Sequence, residues 1–201
     1  MFRRRRRNSL YIYHKKKTFS GALIREIFSW IGVTAFAVFC AVVFMTIFGL
    51  QVGTIGDSME PMLYNGQKVL VNKLAYMILS PKKGDVIVFL PNGNTNSHYY
   101  VKRVVAVPGE KVQIIDGSLY INGSLQEDDD SLYDKMEDEG IASNEIVLGK
   151  GEFFVLGDNR NSSEDSRSAN IGPVKTNMIV GKAWFKIRSG DNKSGFIFRK
   201  K

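Results

Sequence analysis

Hydrophobic and polar positions fall into two textures along this chain of 201 residues. Residues 27–50 carry no charged side chain and are almost wholly apolar. A helix of that length extends about 36 Å, enough to cross a hydrocarbon core of about 30 Å. A core helix of a globular domain is seldom apolar on every side for so long. The run therefore predicts one transmembrane helix. A cleaved secretory leader has a shorter apolar centre of about 7–15 residues. Leu50-Gln51-Val52 also offers no small-x-small cleavage site, so a retained anchor is expected.

Past residue 50 the pattern shortens to strand-like runs. Lys68-Val69-Leu70-Val71-Asn72, Asp85-Val86-Ile87-Val88-Phe89 and residues 99–105 are rich in β-branched and aromatic side chains and are bounded by Gly, Pro or Asn. Residues 111–115, Asp116-Gly117 and residues 118–121 read as a hairpin, because Asp-Gly tolerates the positive φ of a tight primed turn. Residues 152–156, 178–187 and 196–198 complete the set. No long helical period appears beyond the anchor, so this part is expected to be all-β. The apolar stretch Leu74-Ala75-Tyr76-Met77-Ile78-Leu79 has two readings, ordinary core or an exposed patch resting on a bilayer.

Charge sharpens this division. Residues 1–26 hold nine basic residues against the single acid Glu26, which accounts for the whole net charge of +8. Residues 27–201 balance, with 19 charges of each sign. A basic tail beside an apolar run is a topogenic signal and not a nucleic-acid footprint. It predicts a cytoplasmic tail at 1–26, a membrane helix at 27–50 and an extracytoplasmic domain at 51–201. The sole cysteine, Cys40, lies in the apolar run, so no intramolecular disulfide can form. The two histidines, His14 and His98, leave a structural zinc site without a ligand set, and no metal or other cofactor is expected. Residues 127–139 contain eight acids and one lysine. They lack the Asp-x-Asp-x-Asp-Gly spacing of a calcium loop and read as a solvated loop or small cap.

The candidate chemistry sits just after the anchor. Ser58 lies in Gly56-Asp57-Ser58-Met59-Glu60-Pro61, a small turn a few residues beyond the apolar run. A serine hydroxyl is a weak nucleophile and needs a positioned base. His98 belongs to a polar loop, which suits an exposed histidine better than a locked base. The turn also lacks the last glycine of a Gly-x-Ser-x-Gly elbow. A Ser-x-x-Lys arrangement fails because residue 61 is proline. Lys102 is the third candidate. Strand alternation puts Tyr100, Lys102 and Val104 on one face and Val101, Arg103 and Val105 on the other. A lysine can act as a base if burial lowers its pKa, at a cost of roughly 3 kcal/mol for about two units. On this pattern alone, an edge-strand lysine that reaches water is the simpler reading, and the choice stays open. The polar loop 157–167 follows a strand directly and holds acids, hydroxyls and arginines able to satisfy a buried polar site; Ser163 could supply a partner to a neutral amine.

Taken together, these blocks resemble bacterial type I signal peptidases of the Gram-positive kind. They are the anchor, residues 56–63 and 84–89, Tyr100-Val101-Lys102-Arg103-Val104 with residues 107–112, and Gly157-Asp158-Asn159-Arg160 with Ser163, Asp165, Ser166 and Arg167. Each block alone is weak, but four in this order behind a membrane span are specific. The resemblance implies a mainly β fold, with an antiparallel-sheet catalytic core behind one N-terminal transmembrane helix and a small insert at about 113–150. It implies a membrane-anchored serine endopeptidase that removes signal peptides after a small-x-small site. Ser58 would be the nucleophile and Lys102 the base, with the Ser58 backbone N–H stabilising the oxyanion. Ser163 would orient the amine, while Asp158, Asp165, Arg167 and Arg103 would support the site. Met59, Leu63, Val88, Tyr100 and Val101 would line the substrate cleft. Gly56 stands where some members carry a second, hydroxyl oxyanion donor. Precursor proteins, membrane lipid and the export machinery are the implied partners. A rival reading is a non-proteolytic relative that binds precursors in pilus or surface-fibre assembly, but such a binder needs neither Ser58 nor Lys102. Self-cleaving repressor-type proteases share the dyad but lack a membrane span.

Overall fold

The apolar run folds as α1, Gly21–Phe48, in a computed structural model that describes residues 21–94 and 96–198. None of the 28 residues of this helix is buried. A long helix that is apolar all round fits a bilayer-spanning segment. The basic tail up to residue 20 lies outside the described residues. The helix also ends earlier than the pattern predicts. The Gly49 N–H still bonds the Met45 carbonyl at 2.8 Å, but Leu50 already begins the first strand. Residues 49 and 50, expected in the span, therefore belong to the turn and the sheet. The chain divides into two units, one up to Val42 and the other Val43–Lys201.

The second unit is built on two antiparallel sheets. Its strands in chain order are β1 (Leu50–Gly53), β2 (Lys68–Asn72), β3 (Val86–Phe89), β4 (Tyr100–Ala106), β5 (Lys111–Ile115), β6 (Ser118–Ile121), β7 (Ser124–Leu125), β8 (Ile146–Val147), β9 (Glu152–Leu156), β10 (Val174–Lys175), β11 (Ile179–Lys186) and β12 (Gly195–Phe196). Two short helices, α2 (Ala75–Ile78) and α3 (Glu127–Leu132), interrupt them. The large sheet runs β1-β2-β11-β3-β4-β9-β10, with β12 pairing on β11. The small sheet runs β7-β6-β5-β8. The hairpin between β5 and β6 turns at Asp116 and Gly117, both at positive φ, as the Asp-Gly pair predicts.

β3 and β4 lie in the middle of the large sheet, where both faces are covered. Val86 and Val88 join one apolar cluster with Met59, Leu63 and Val101, while Ile87 and Phe89 join another with Val104 and Phe153. A third cluster packs Val112, Ile114 and Leu119 of the small sheet against Phe154 and Leu156 of β9. Each fully buried aliphatic or aromatic side chain contributes about 1.5–3 kcal/mol by leaving water, so β3 and β4 are held from both sides. α2 departs from the core reading of its sequence. Leu74, Met77 and Leu79 are exposed, while Ala75 and Tyr76 are half-buried and the Tyr76 hydroxyl bonds Asp85 at 3.2 Å.

Candidate active site

The Ser58 turn is pinned at its base and at its two apolar positions. The Thr54 N–H bonds the Gln67 carbonyl and the Gly66 N–H bonds the Thr54 carbonyl, each at 2.9 Å. Met59 and Leu63 are 2% and 0% exposed, so their side chains anchor the turn in the core while Ser58, between core and solvent, stays accessible. Gly56 has φ of +74°, a left-handed conformation that strains any residue with a Cβ. Its N–H is taken by Asn65 Oδ1 at 3.1 Å. The Ser58 N–H, by contrast, makes no hydrogen bond among the described residues. The Ser58 carbonyl accepts from the Asn159 N–H at 3.1 Å, which ties the turn to the loop 157–167.

Lys102 comes from β4, flanked by β3 and β9. It is not on an edge, and it is 3% exposed. Burial lowers its pKa to about 8, opposed by the carboxylates of Asp165, Glu164 and Asp158 and assisted by the Arg167 charge. No hydrogen bond or ion pair holds its amine among the described residues; the Tyr100 ring centre lies 5.9 Å away. Ser58 and Lys102 line one cleft of about 380 Å³. Met59, Tyr100 and Val101 line it too. Leu63 and Val88, expected there, are both 0% exposed and form the core beneath it. The resemblance placed them at the cleft, and packing puts their side chains in the core.

The neighbouring Arg103 forks onto Asp158 at 2.6 and 2.7 Å and donates to the Gly84 carbonyl at 2.9 Å. Asp165 accepts from the Gly157 N–H at 3.1 Å and holds Arg167 at 2.9 and 3.0 Å. Ser166 pairs along β9, accepting from the Val155 N–H at 3.0 Å through its hydroxyl. The Ser163 hydroxyl oxygen is buried and has no hydrogen-bond partner among the described residues. Gly157 sits against both halves of the site. A methyl group there would collide with the Ser163 side chain and with the Ser58 carbonyl oxygen.

Three residues have surroundings that the sequence reading did not give. His98, set aside as a loop residue, is exposed but borders the same cleft. Glu164 also borders it and accepts from the Tyr100 hydroxyl at 2.9 Å. Arg160, given in the sequence only as part of the block Gly157-Asp158-Asn159-Arg160 and with no role of its own, is 2% exposed. Nothing in local periodicity signals any of these, because each depends on how β4, the serine turn and the loop 157–167 converge.

Fold and cleft define a mainly antiparallel β protein with one apolar N-terminal helix and a serine and a buried lysine at one groove. The family model for signal peptidase, peptidase S26, matches residues 27–187, and the chain belongs to this family. It is 38% identical over 136 residues to signal peptidase I T of Bacillus subtilis, covering 65% of this chain and 69% of that protein. It is 37% identical over 145 residues to signal peptidase IB of Staphylococcus aureus, covering 65% and 73%. A crystal structure of a signal peptidase I from Enterococcus faecalis is 30% identical, with a TM-score of 0.38, covering 52% of this chain and 97% of that one. The chain is thus a signal peptidase, a serine endopeptidase whose substrates are secreted precursors bearing signal peptides. Its apolar helix fits a membrane-anchored protein. Family membership decides for an enzyme over a non-proteolytic binder.

Proposed function

We propose that the enzyme cleaves precursors after a small-x-small site with Ser58 as nucleophile and Lys102 as general base. Ser58 Oγ attacks the scissile carbonyl carbon as the Lys102 amine takes its proton. The resulting oxyanion is stabilised by the Ser58 N–H, which has no competing acceptor among the described residues. Collapse expels the amine of the mature protein, which takes the proton from Lys102, and leaves an acyl-serine. Lys102 then deprotonates a water that attacks the ester, releases the signal peptide and restores the serine. The observation that carries this reading is a lysine 3% exposed on a central strand, its pKa lowered by burial, at the same cleft as Ser58.

Ser163 orients the amine in this reading, which is supported by a buried hydroxyl oxygen that has no partner among the described residues. Arg103 with Asp158, and Asp165 with Arg167, hold the strand and loop that carry the reacting groups. Gly56 supplies no second oxyanion donor, since it has no side chain and its N–H is engaged by Asn65. The apolar part of the cleft at Met59, Tyr100 and Val101 suits small side chains on an extended substrate strand. Residues 51–201 act outside the cytoplasm on precursors arriving from the export machinery. The exposed Leu74, Met77 and Leu79 support contact with lipid.

Full-length protein in detergent, given a labelled precursor, tests the dyad. Ser58→Ala and Lys102→Ala should each abolish processing without loss of fold, and His98→Ala should be nearly silent. If Lys102→Ala kept turnover while Ser58 stayed essential, the dyad would be wrong and His98, at the same cleft, would become the candidate base.

A further inference from the structure

The acidic stretch 127–139, read from the sequence as a solvated loop or small cap, carries a short helix that closes over the loop 157–167. Asp129 on α3 meets Arg160 of the loop 157–167 in a two-point ion pair, Nη1 to Oδ2 and Nη2 to Oδ1, the latter at 2.6 Å. The Arg160 side chain is 1% exposed and that of Asp129 14%. The Tyr133 ring covers the guanidinium, with its centre 4.1 Å away. From inside this clamp, Arg160 Nε donates to the Gly157 carbonyl at 3.0 Å. Gly157 is the residue packed against the Ser163 side chain and the Ser58 carbonyl.

The same stretch fastens the loop at three further points. Asn161 Nδ2 donates to the Lys135 carbonyl, the Glu137 N–H donates to Asn161 Oδ1 and Arg167 Nη1 donates to the Asp138 carbonyl, each at 3.0 Å. Of all these contacts, only the Asp129 carboxylate neutralises a buried charge. A guanidinium shut away from water without its counter-ion is strongly unfavourable. Without Asp129, Arg160 must swing toward solvent and release the Gly157 carbonyl.

We propose that Asp129 is a positioning residue for signal-peptide cleavage. By neutralising Arg160 it locks the Gly157 turn, and through that turn it sets the spacing of Ser58, Ser163 and the Lys102 amine. The inference rests on the Ser58–Lys102 reading and adds to it a residue from a separate part of the chain. The charges that act on Lys102 are those of Asp165, Glu164, Arg167 and Asp158; Asp129 is not among them. When Asp129 and Arg160 are neutralised together, two opposite charges leave at once, and a change in Lys102 titration then reports movement of the loop and not loss of a nearby charge.

The test uses full-length protein in detergent, with melting temperature, kcat, KM and the pH dependence of kcat/KM measured on one precursor. Asp129→Asn should lower kcat about tenfold or more, as small misplacements of reacting groups do, and leave KM within about twofold. Its acid limb should move to higher pH, because a loosened loop lets water reach the Lys102 amine. The double variant Asp129→Asn/Arg160→Gln removes both buried charges. It should recover melting temperature relative to Asp129→Asn yet keep the low kcat, so the test survives poor folding of the single variant. A folded single or double variant with kcat within about twofold of the unsubstituted enzyme would overturn the proposal. So would a loss of kcat that left the acid limb in place. Lys102→Ala separates the two readings. If it still cleaves, the dyad itself fails. If it is inactive while folded Asp129→Asn cleaves normally, only the positioning role fails.

Discussion

Lys102 is the residue on which the chemistry turns, and its environment makes a signed prediction. The amine accepts a proton only when neutral, so kcat/KM should rise with pH along a limb set by Lys102. Burial lowers that pKa from the ordinary 10.5 to about 8, so the limb should centre near there. At pH 7 only about a tenth of the enzyme then carries the neutral amine. Glu164, a carboxylate at the cleft, raises the Lys102 pKa. Glu164→Gln should therefore move the limb to lower pH, the opposite direction to Asp129→Asn. A limb that ignored Glu164→Gln but vanished in His98→Ala would assign the titration to the histidine.

β4 is the element that joins stability to chemistry. It carries two basic residues in succession, one without a hydrogen-bond partner among the described residues and the other paired with Asp158. Because the Arg103 and Asp158 side chains are 4% and 0% exposed, removing one leaves the other as an unpaired buried charge. Asp158→Asn should cost about 3–5 kcal/mol of stability, read by chemical denaturation in detergent. A loss below about 1 kcal/mol would show that water reaches the pair and screens it as on a surface. Alternation along β4 was legible in the sequence. Its central place between β3 and β9 was not, since strand order is a long-range property that no local pattern encodes.

The whole molecule couples one apolar helix to a β-sheet domain whose charges balance. The excess basic charge in residues 1–26 predicts the amino terminus inside and residues 51–201 outside. Protease added to intact protoplasts should therefore digest the β domain and spare a tag on the amino terminus. The reverse pattern of protection would contradict the charge argument.

Local features were determined by the sequence alone. The uncharged run announced α1, runs of β-branched and aromatic residues announced β2, β3, β4 and β9, and Asp116-Gly117 announced the hairpin turn, because the length and composition of a run and the geometry of a turn are properties of neighbouring residues. The serine turn and the polar loop 157–167 stood out for the same reason. Strands β1, β7, β8 and β10, of two to four residues, were too short to show a period. Tertiary structure alone decided depth and partnership. It sank Leu63 and Val88 beneath the cleft, exposed Leu74, Met77 and Leu79, and drew Asp129 out of an acidic run to neutralise Arg160. Burial and ion pairing are set by which distant segments meet, and a stretch with eight acids looks alike whether one of them faces water or a buried guanidinium.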